Sequence, residues 1–256
     1  MAKVIDYYNM LNEMAPFETQ ETYDNAGLIT GDTECEVRNI LVALDVTEAV
    51  AAEAVSRNAE LIISHHPLMF HARKNLVETD PEARILCTLI RNRISLISCH
   101  TNLDKTVYSG SYCAAEAIGL ENIRQEGFLF IGELPEAMTA EKLAGRITAA
   151  LGAPVRTYGD PDKLVRVLAV GGGACDSELG DAIALGTDAF LTGEVRHHNA
   201  LTASMMNYVL FDGTHYGTEN ILVHSLADTL QKQSDRLEYD VNVFSSEIDL
   251  FDFRMV

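Results

Sequence analysis

Residues 61–70 read "LIISHHPLMF", an apolar, β-prone run that ends in two adjacent histidines and a proline. Neighbouring residues on a strand point to opposite faces, so His65 and His66 do not form one amphipathic stripe. Two more polar clusters follow apolar runs: "CHTNLD" after 94–98 and "DGTHYGTEN" after 207–211. Open α/β sheets form their ligand sites just beyond the carboxyl ends of strands. The three clusters supply His65, His66, His100, Asp104, His215 and Glu219. Imidazole nitrogen with carboxylate oxygen is the donor set for zinc, iron, manganese or nickel. Each cluster alone reads as a strand end with solvated side chains; all three at strand termini favour metal. Even three of these histidines with the two carboxylates exceed what one tetrahedral catalytic ion takes from a protein. They suit two divalent ions about 3.5–4 Å apart, bridged by carboxylate and water. Pro67, at the frayed end of the strand, would let the two imidazoles fan towards neighbouring ions. His215 and Glu219, four residues apart, would face one pocket if Glu219 begins the helix "ENILVHSLADTLQKQ".

The elements that must hold these side chains alternate. Val4, Tyr7, Tyr8, Leu11 and Met14 recur at helical spacing. After the polar, turn-rich "FETQETYDNAGLITGDTE" come the strand "NILVALDVT", the alanine-rich helix "EAVAAEAVSRNAE" and the strand "LIIS". Asp80 as N-cap and Pro81 at the first helical position open the helix "DPEARILCTLIRNR", which leads to the strand "ISLISCHTNLD". The second half repeats the plan: strand "VRVLAVGGG", helix "CDSELGDAIALG", strand "TDAFLTGE" and a last strand in "NYVLFDGTHYGTEN". Arg38 precedes Ser64 by the same 26 residues that separate Arg166 from Thr192. Such alternation implies βαβ units. The expected fold is α/β: two related lobes with mostly parallel sheets, residues 1–126 and 127–256, and a metal site between the lobes at the strand C-terminal ends.

The chain has 256 residues, enough for a sizeable core, and a formal net charge of −19. That balance argues against a general nucleic-acid surface, although a bound metal would invert the potential locally. No apolar run approaches the length needed to span a bilayer, and the opening residues lack a signal-peptide pattern, so a membrane role is not expected. Five scattered cysteines with no C-x-x-C pair fit a reducing cytoplasm rather than a disulfide framework or a thiolate knuckle.

With "YDNAGL" near the start and "LTGEVRHH" in the second half, the motifs "SHHPLMF", "CHTNLD" and "GTHYGTEN" resemble the Nif-three-like family, the group that usually carries the label GTP cyclohydrolase I type 2. The resemblance runs in order through nearly the whole chain. It implies a two-lobed α/β protein assembled as a toroidal homohexamer with dinuclear metal sites. Position by position, it implies His65, His66, Asp104, His215 and Glu219 as metal ligands. Longer members insert an extra domain between the halves, for which this chain has no room. The implied activity is metal-dependent hydrolysis, purine ring opening of GTP with release of formate. A two-metal phosphoesterase and a non-catalytic metal-binding or assembly ring are the alternatives.

Other residues keep two readings. His100 is a proton donor to a substrate ring, or it orients Asp104. His197 and His198 in "GEVRHHNAL" line the cavity as substrate contacts, or they sit exposed at a helix start. Arg196 is the nearest basic group that could meet a substrate phosphate. "VGGGACDSELG" lacks the lysine of a phosphate loop and reads as a tight turn needing positive φ. Asp24 and Asn25 are family-like site positions; Asp45 is another, or else caps the next helix. His71 and His224 are read as structural.

Overall fold

Val4, Tyr7 and Leu11 are buried along one face of a helix that spans Val4–Met14, as their spacing predicts. The computed structural model describes residues 1–249. They fall into two units: residues 1–106 together with those from Val223 onward, and residues 107–222.

In chain order the first unit holds β1 (Ala2–Lys3), α1 (Val4–Met14), β2 (Gly27–Thr30), β3 (Glu36–Val37), β4 (Asn39–Ala43), α2 (Glu48–Ser56), β5 (Leu61–Ser64), α3 (Pro81–Arg91), β6 (Ser95–Ser98) and α4 (Thr101–Asp104). β4, β5 and β6 run parallel, and every residue of β5 and β6 is buried. Continuous burial of this kind belongs to parallel strands covered on both faces. Leu41, Ile62 and Leu96 of the sheet pack with Val50 and Ala54 of α2 and with Ile85 and Leu89 of α3. Asp80 caps α3 by accepting from the Ala83 N–H at 3.1 Å, with Pro81 at the first turn, as read from the sequence. The segment read as polar and turn-rich also contributes β2, which pairs antiparallel with β6.

The second unit follows with α5 (Gly110–Ile118), β7 (Glu121–Glu126), β8 (Leu129–Thr139), α6 (Ala140–Leu151), β9 (Arg156–Tyr158), β10 (Leu164–Gly171), α7 (Leu179–Ala184), β11 (Ala189–Thr192), α8 (His197–Met205), β12 (Val209–Asp212) and α9 (His215–Glu219). Its six-stranded sheet has the order β7-β8-β10-β11-β12-β9, with β10, β11 and β12 parallel. Phe130, Leu168, Leu191 and Phe211 face α5 and α6 on one side of this sheet. Phe190 and Leu210 face Leu179, Ala182 and Ala203 on the other.

The internal repeat extends to single hydrogen bonds. Glu60 accepts from the backbone N–H groups of Arg38 and Asn39 at 2.9 Å; Asp188 accepts from those of Arg166 and Val167 at 2.8 Å. Each carboxylate fastens the start of the parallel strand that opens its set. Beyond β5 and β11 the same register sets His65 and His66 against Gly193 and Glu194.

The division differs from the expected boundary at residue 126. Residues 107–126 belong to the second unit, because β7 pairs with β8 there. After residue 220 the chain forms α10 (Ile221–Arg236) and β13 (Asn242–Ser245), and β13 joins the first sheet beside β4. A buried hydrogen bond of 2.7 Å between the Tyr7 hydroxyl and Ser234 Oγ ties α10 to α1. Among the described residues no helix is long and apolar enough to cross a membrane.

Removing that phenol oxygen tests the tie. Tyr7→Phe is expected to lower stability by about 1 kcal/mol, read as a fall in Tm of about 2–4 °C in thermal unfolding.

Candidate metal centre

The first unit gathers three imidazoles where β5 and β6 end. His65 and His66 follow directly on β5, and His100 precedes α4. Their ring centroids are 5.0–5.5 Å apart, and each offers a nitrogen within 4.8 Å of the others. Asp104, closing α4, brings Oδ1 to 3.6 Å from His65 Nε2.

Each ring is held by its Nδ1. His65 Nδ1 lies 2.8 Å from the Cys99 carbonyl oxygen, which can only accept, so this nitrogen carries the proton. In the neutral ring the lone pair is then on Nε2. His66 Nδ1 is 2.8 Å from Asp45 Oδ1, and His100 Nδ1 is 2.8 Å from Asp24 Oδ1. Metal-binding histidines are held in this way, with the second nitrogen donating to a carbonyl or carboxylate that fixes tautomer and orientation. Thr47 caps α2, so Asp45 serves His66 and not the helix.

Asp24 is fully buried as a side chain, and it accepts from His100, from the Thr101 N–H at 3.0 Å and from the Thr101 hydroxyl. Burial pushes its pKa up, but the hydrogen bonds from His100 and Thr101 outweigh it and hold the carboxyl well below the usual range. A carboxylate lowered by folding stabilises the fold above its unfolded pKa of about 4. That contribution is lost only as the pH falls from there through the lower folded value. Burial drives the neighbouring Cys99 thiol the other way, far up. Cys99 meets the site through its carbonyl, and the metal-capable groups among the described residues consist of histidines and Glu219.

The second unit builds a smaller group on α9. His215 and Glu219 are one helical turn apart, with Nε2 and Oε2 separated by 3.0 Å. Glu219 ends this short helix and does not begin the long one, which corrects the register expected from the sequence; the four-residue spacing still puts both on one face. His215 Nδ1 is held by Glu194 at 2.7 Å, the arrangement already seen for the other rings.

Room for these side chains comes from the glycines after β10. Gly173 has φ +59, and a methyl group built there would overlap Glu219 Oε1. The Gly173 N–H donates to Thr218 Oγ1 at 3.0 Å, and the Gly172 N–H to Ser111 Oγ at 2.8 Å. The glycine run is thus a turn with positive φ, as expected, with the added task of seating a carboxylate. Thr214, just before His215, has φ 63 and ψ 148, a region that costs a β-branched residue about 1–3 kcal/mol. Its N–H bonds to Asp212, its hydroxyl accepts from Gly217 N–H, and its carbonyl accepts from Thr218. These fastenings impose the strained turn that launches α9 at the end of β12.

Arg196 is engaged elsewhere: its guanidinium grips buried Asp176 at 2.6–3.0 Å, and Asn199 joins the same carboxylate. His197 and His198 are exposed in the first turn of α8. The sequence points to Asp24 and Asp45 without their partners and gives Glu194 no role. It gave no sign of Gly173 as a seat or of Thr214 as a strained hinge.

The sequence matches the family model described as Duf34/NIF3 (NGG1p interacting factor 3) over residues 2–250. A Streptomyces coelicolor protein named "GTP cyclohydrolase 1 type 2 homolog" is 32% identical over 262 residues, covering 96% of this chain and 92% of that protein. A Helicobacter pylori protein named "GTP cyclohydrolase 1 type 2" is 32% identical over 230 residues, covering 90% and 92%. The crystal structure of Staphylococcus aureus protein SA1388 superposes with a TM-score of 0.94 at 27% identity, covering 100% of this chain and 99% of that one.

Asp45→Ala, which leaves the His66 donor atoms in place but frees the ring, is expected to weaken metal affinity about 10–100-fold, measured by competition with a chromogenic chelator. Gly173→Ala is expected to lower the metal content of the purified protein, read by elemental analysis, because Glu219 must vacate its seat.

Proposed function

The chain belongs to the Duf34/NIF3 family, and on that premise we propose that it is a metal-dependent hydrolase holding two divalent cations with His65, His66, Asp104, His215 and Glu219. The supporting observation is that His65, His66 and His215 all have Nδ1 bonded to an oxygen acceptor, which leaves Nε2 as the available donor. Solvated surface histidines have no reason to share that restraint, and His65 is not solvated at all. The donor set fits zinc, iron, manganese or nickel.

When bound, such ions bring the pKa of water towards neutrality and polarise a substrate oxygen. The chain's own residues would do the rest. The Asp24 carboxylate fixes the His100 ring by Nδ1, so a proton reaches or leaves that ring at Nε2, beside the His65 and His66 rings. His100 is in this reading the proton donor to a substrate ring nitrogen. His197 and His198, just past Glu194, are substrate contacts. Arg196, committed to Asp176, positions the start of α8 that carries them. The substrate is a small molecule, with the GTP ring opening named in the relatives as the leading reaction. A homohexameric ring in the cytoplasm is part of the same proposal.

Two measurements test it. His65→Ala and Glu219→Ala are each expected to cut bound metal well below wild type by elemental analysis; unchanged stoichiometry in both would remove the site. Metal-loaded wild type given GTP is expected to release formate. Free phosphate in its place would reassign the protein to phosphoester cleavage. With metal bound and no product from a nucleotide and phosphoester panel, it would be a metal-binding protein without turnover.

A further inference from the structure

We propose that the loop from Pro67 to Asn75, together with Tyr23, is a receptor for a planar heteroaromatic ring that carries an anionic group, seated beside the His65–His66–His100 cluster. The inference rests on the reading that this cluster acts on a small molecule, and it names the recognition chemistry.

Three observations lead there. The first is aromatic. Phe70 and Tyr23 are 38% and 62% exposed, with ring centroids 6.3 Å apart. The Phe70 ring also lies 6.1 Å from that of His100, at 79°. Two large rings left open to water beside an imidazole cluster offer faces on which a planar ring can stack, and the stacked ring would end next to His100. The second is charge. In a chain of net charge −19, this loop holds His71, Arg73 and Lys74 within four residues. Arg73 braces the loop, through Asp80 at 2.8 Å and Glu82 at 2.7 Å. Lys74 is exposed, and among the described residues it has no ion pair, so its ammonium is available to an anion. The third is space. Phe70 lines a cavity of about 310 Å³ with His71, Arg73 and Lys74, and the same His71, Arg73 and Lys74 line a second of about 470 Å³ with Asn25 and Met69, both within the range of small-ligand sites.

The receptor and the histidine cluster share one fastening. Adjacent residues divide the work: Asp24 holds His100, and Asn25 donates through Nδ2 to the Met69 carbonyl at 2.6 Å. A ligand ordering the loop at Met69 and Phe70 therefore meets a segment already fixed relative to the imidazoles.

The test is equilibrium binding of GTP, guanosine and inorganic tripolyphosphate to full-length metal-loaded protein, with metal content measured on the same samples. Phe70→Ala is expected to weaken guanosine and GTP about 10-fold each and leave tripolyphosphate unchanged. Lys74→Gln is expected to weaken GTP and tripolyphosphate about 10-fold and spare guanosine. Phe70→Tyr, which keeps the ring, should bind as wild type. Affinities within twofold of wild type in both Phe70→Ala and Lys74→Gln would overturn the receptor, as would a wild type that binds none of the probes. A wild type that holds no metal would overturn the hydrolase reading alone, since the ligand affinities and their losses would still support the receptor.

Discussion

A neutral imidazole has one lone pair, and the group that grips the other nitrogen decides where it points. In this protein that grip is made four times at strand ends, by the Cys99 carbonyl, Asp45, Asp24 and Glu194. Cys99, Asp45 and Glu194 follow different strands and Asp24 precedes β2, so the side chains are aligned only when the sheets are formed. The surrounding architecture follows from that need. Buried parallel strands set the Cα positions, and the segments that follow their carboxyl ends bring backbone and side-chain oxygens to the rings.

The sequence was most legible where local chemistry and global pattern agree. Largely apolar runs mark the parallel strands, Asp80 with Pro81 marks the start of α3, and the 26-residue spacing ends on equivalent strands of the two units. The polar clusters were found because they interrupt apolar runs at strand ends. What was hidden depends on pairing between distant residues. The strand β7, "ENIRQE", has almost no apolar alternation to announce it, so the unit boundary was set too late. The return of β13 to β4 is decided by a packing competition at the sheet edge that no local signal reports. Glu219 looked like a helix start because the break at Asn220 separates two helices with no proline or glycine between them.

The roles of the supporting carboxylates were hidden for the same reason. Asp45 could cap α2 on sequence grounds, yet Thr47 takes that task two residues on. On sequence grounds His100 could orient Asp104, whereas its Nδ1 belongs to Asp24, 76 residues away. Gly173 signalled a turn, but the carboxylate its missing side chain accommodates lies on another element.

The repeat register carries one more consequence. The positions occupied by His65 and His66 after β5 are taken by Gly193 and Glu194 after β11, so the same strand register presents two imidazoles in one unit and a carboxylate in the other. In the first frame both side chains are rings of the imidazole cluster, whereas in the second the carboxylate is already bonded to the His215 ring. The same backbone position thus carries a ring in one unit and the acceptor that orients a ring in the other.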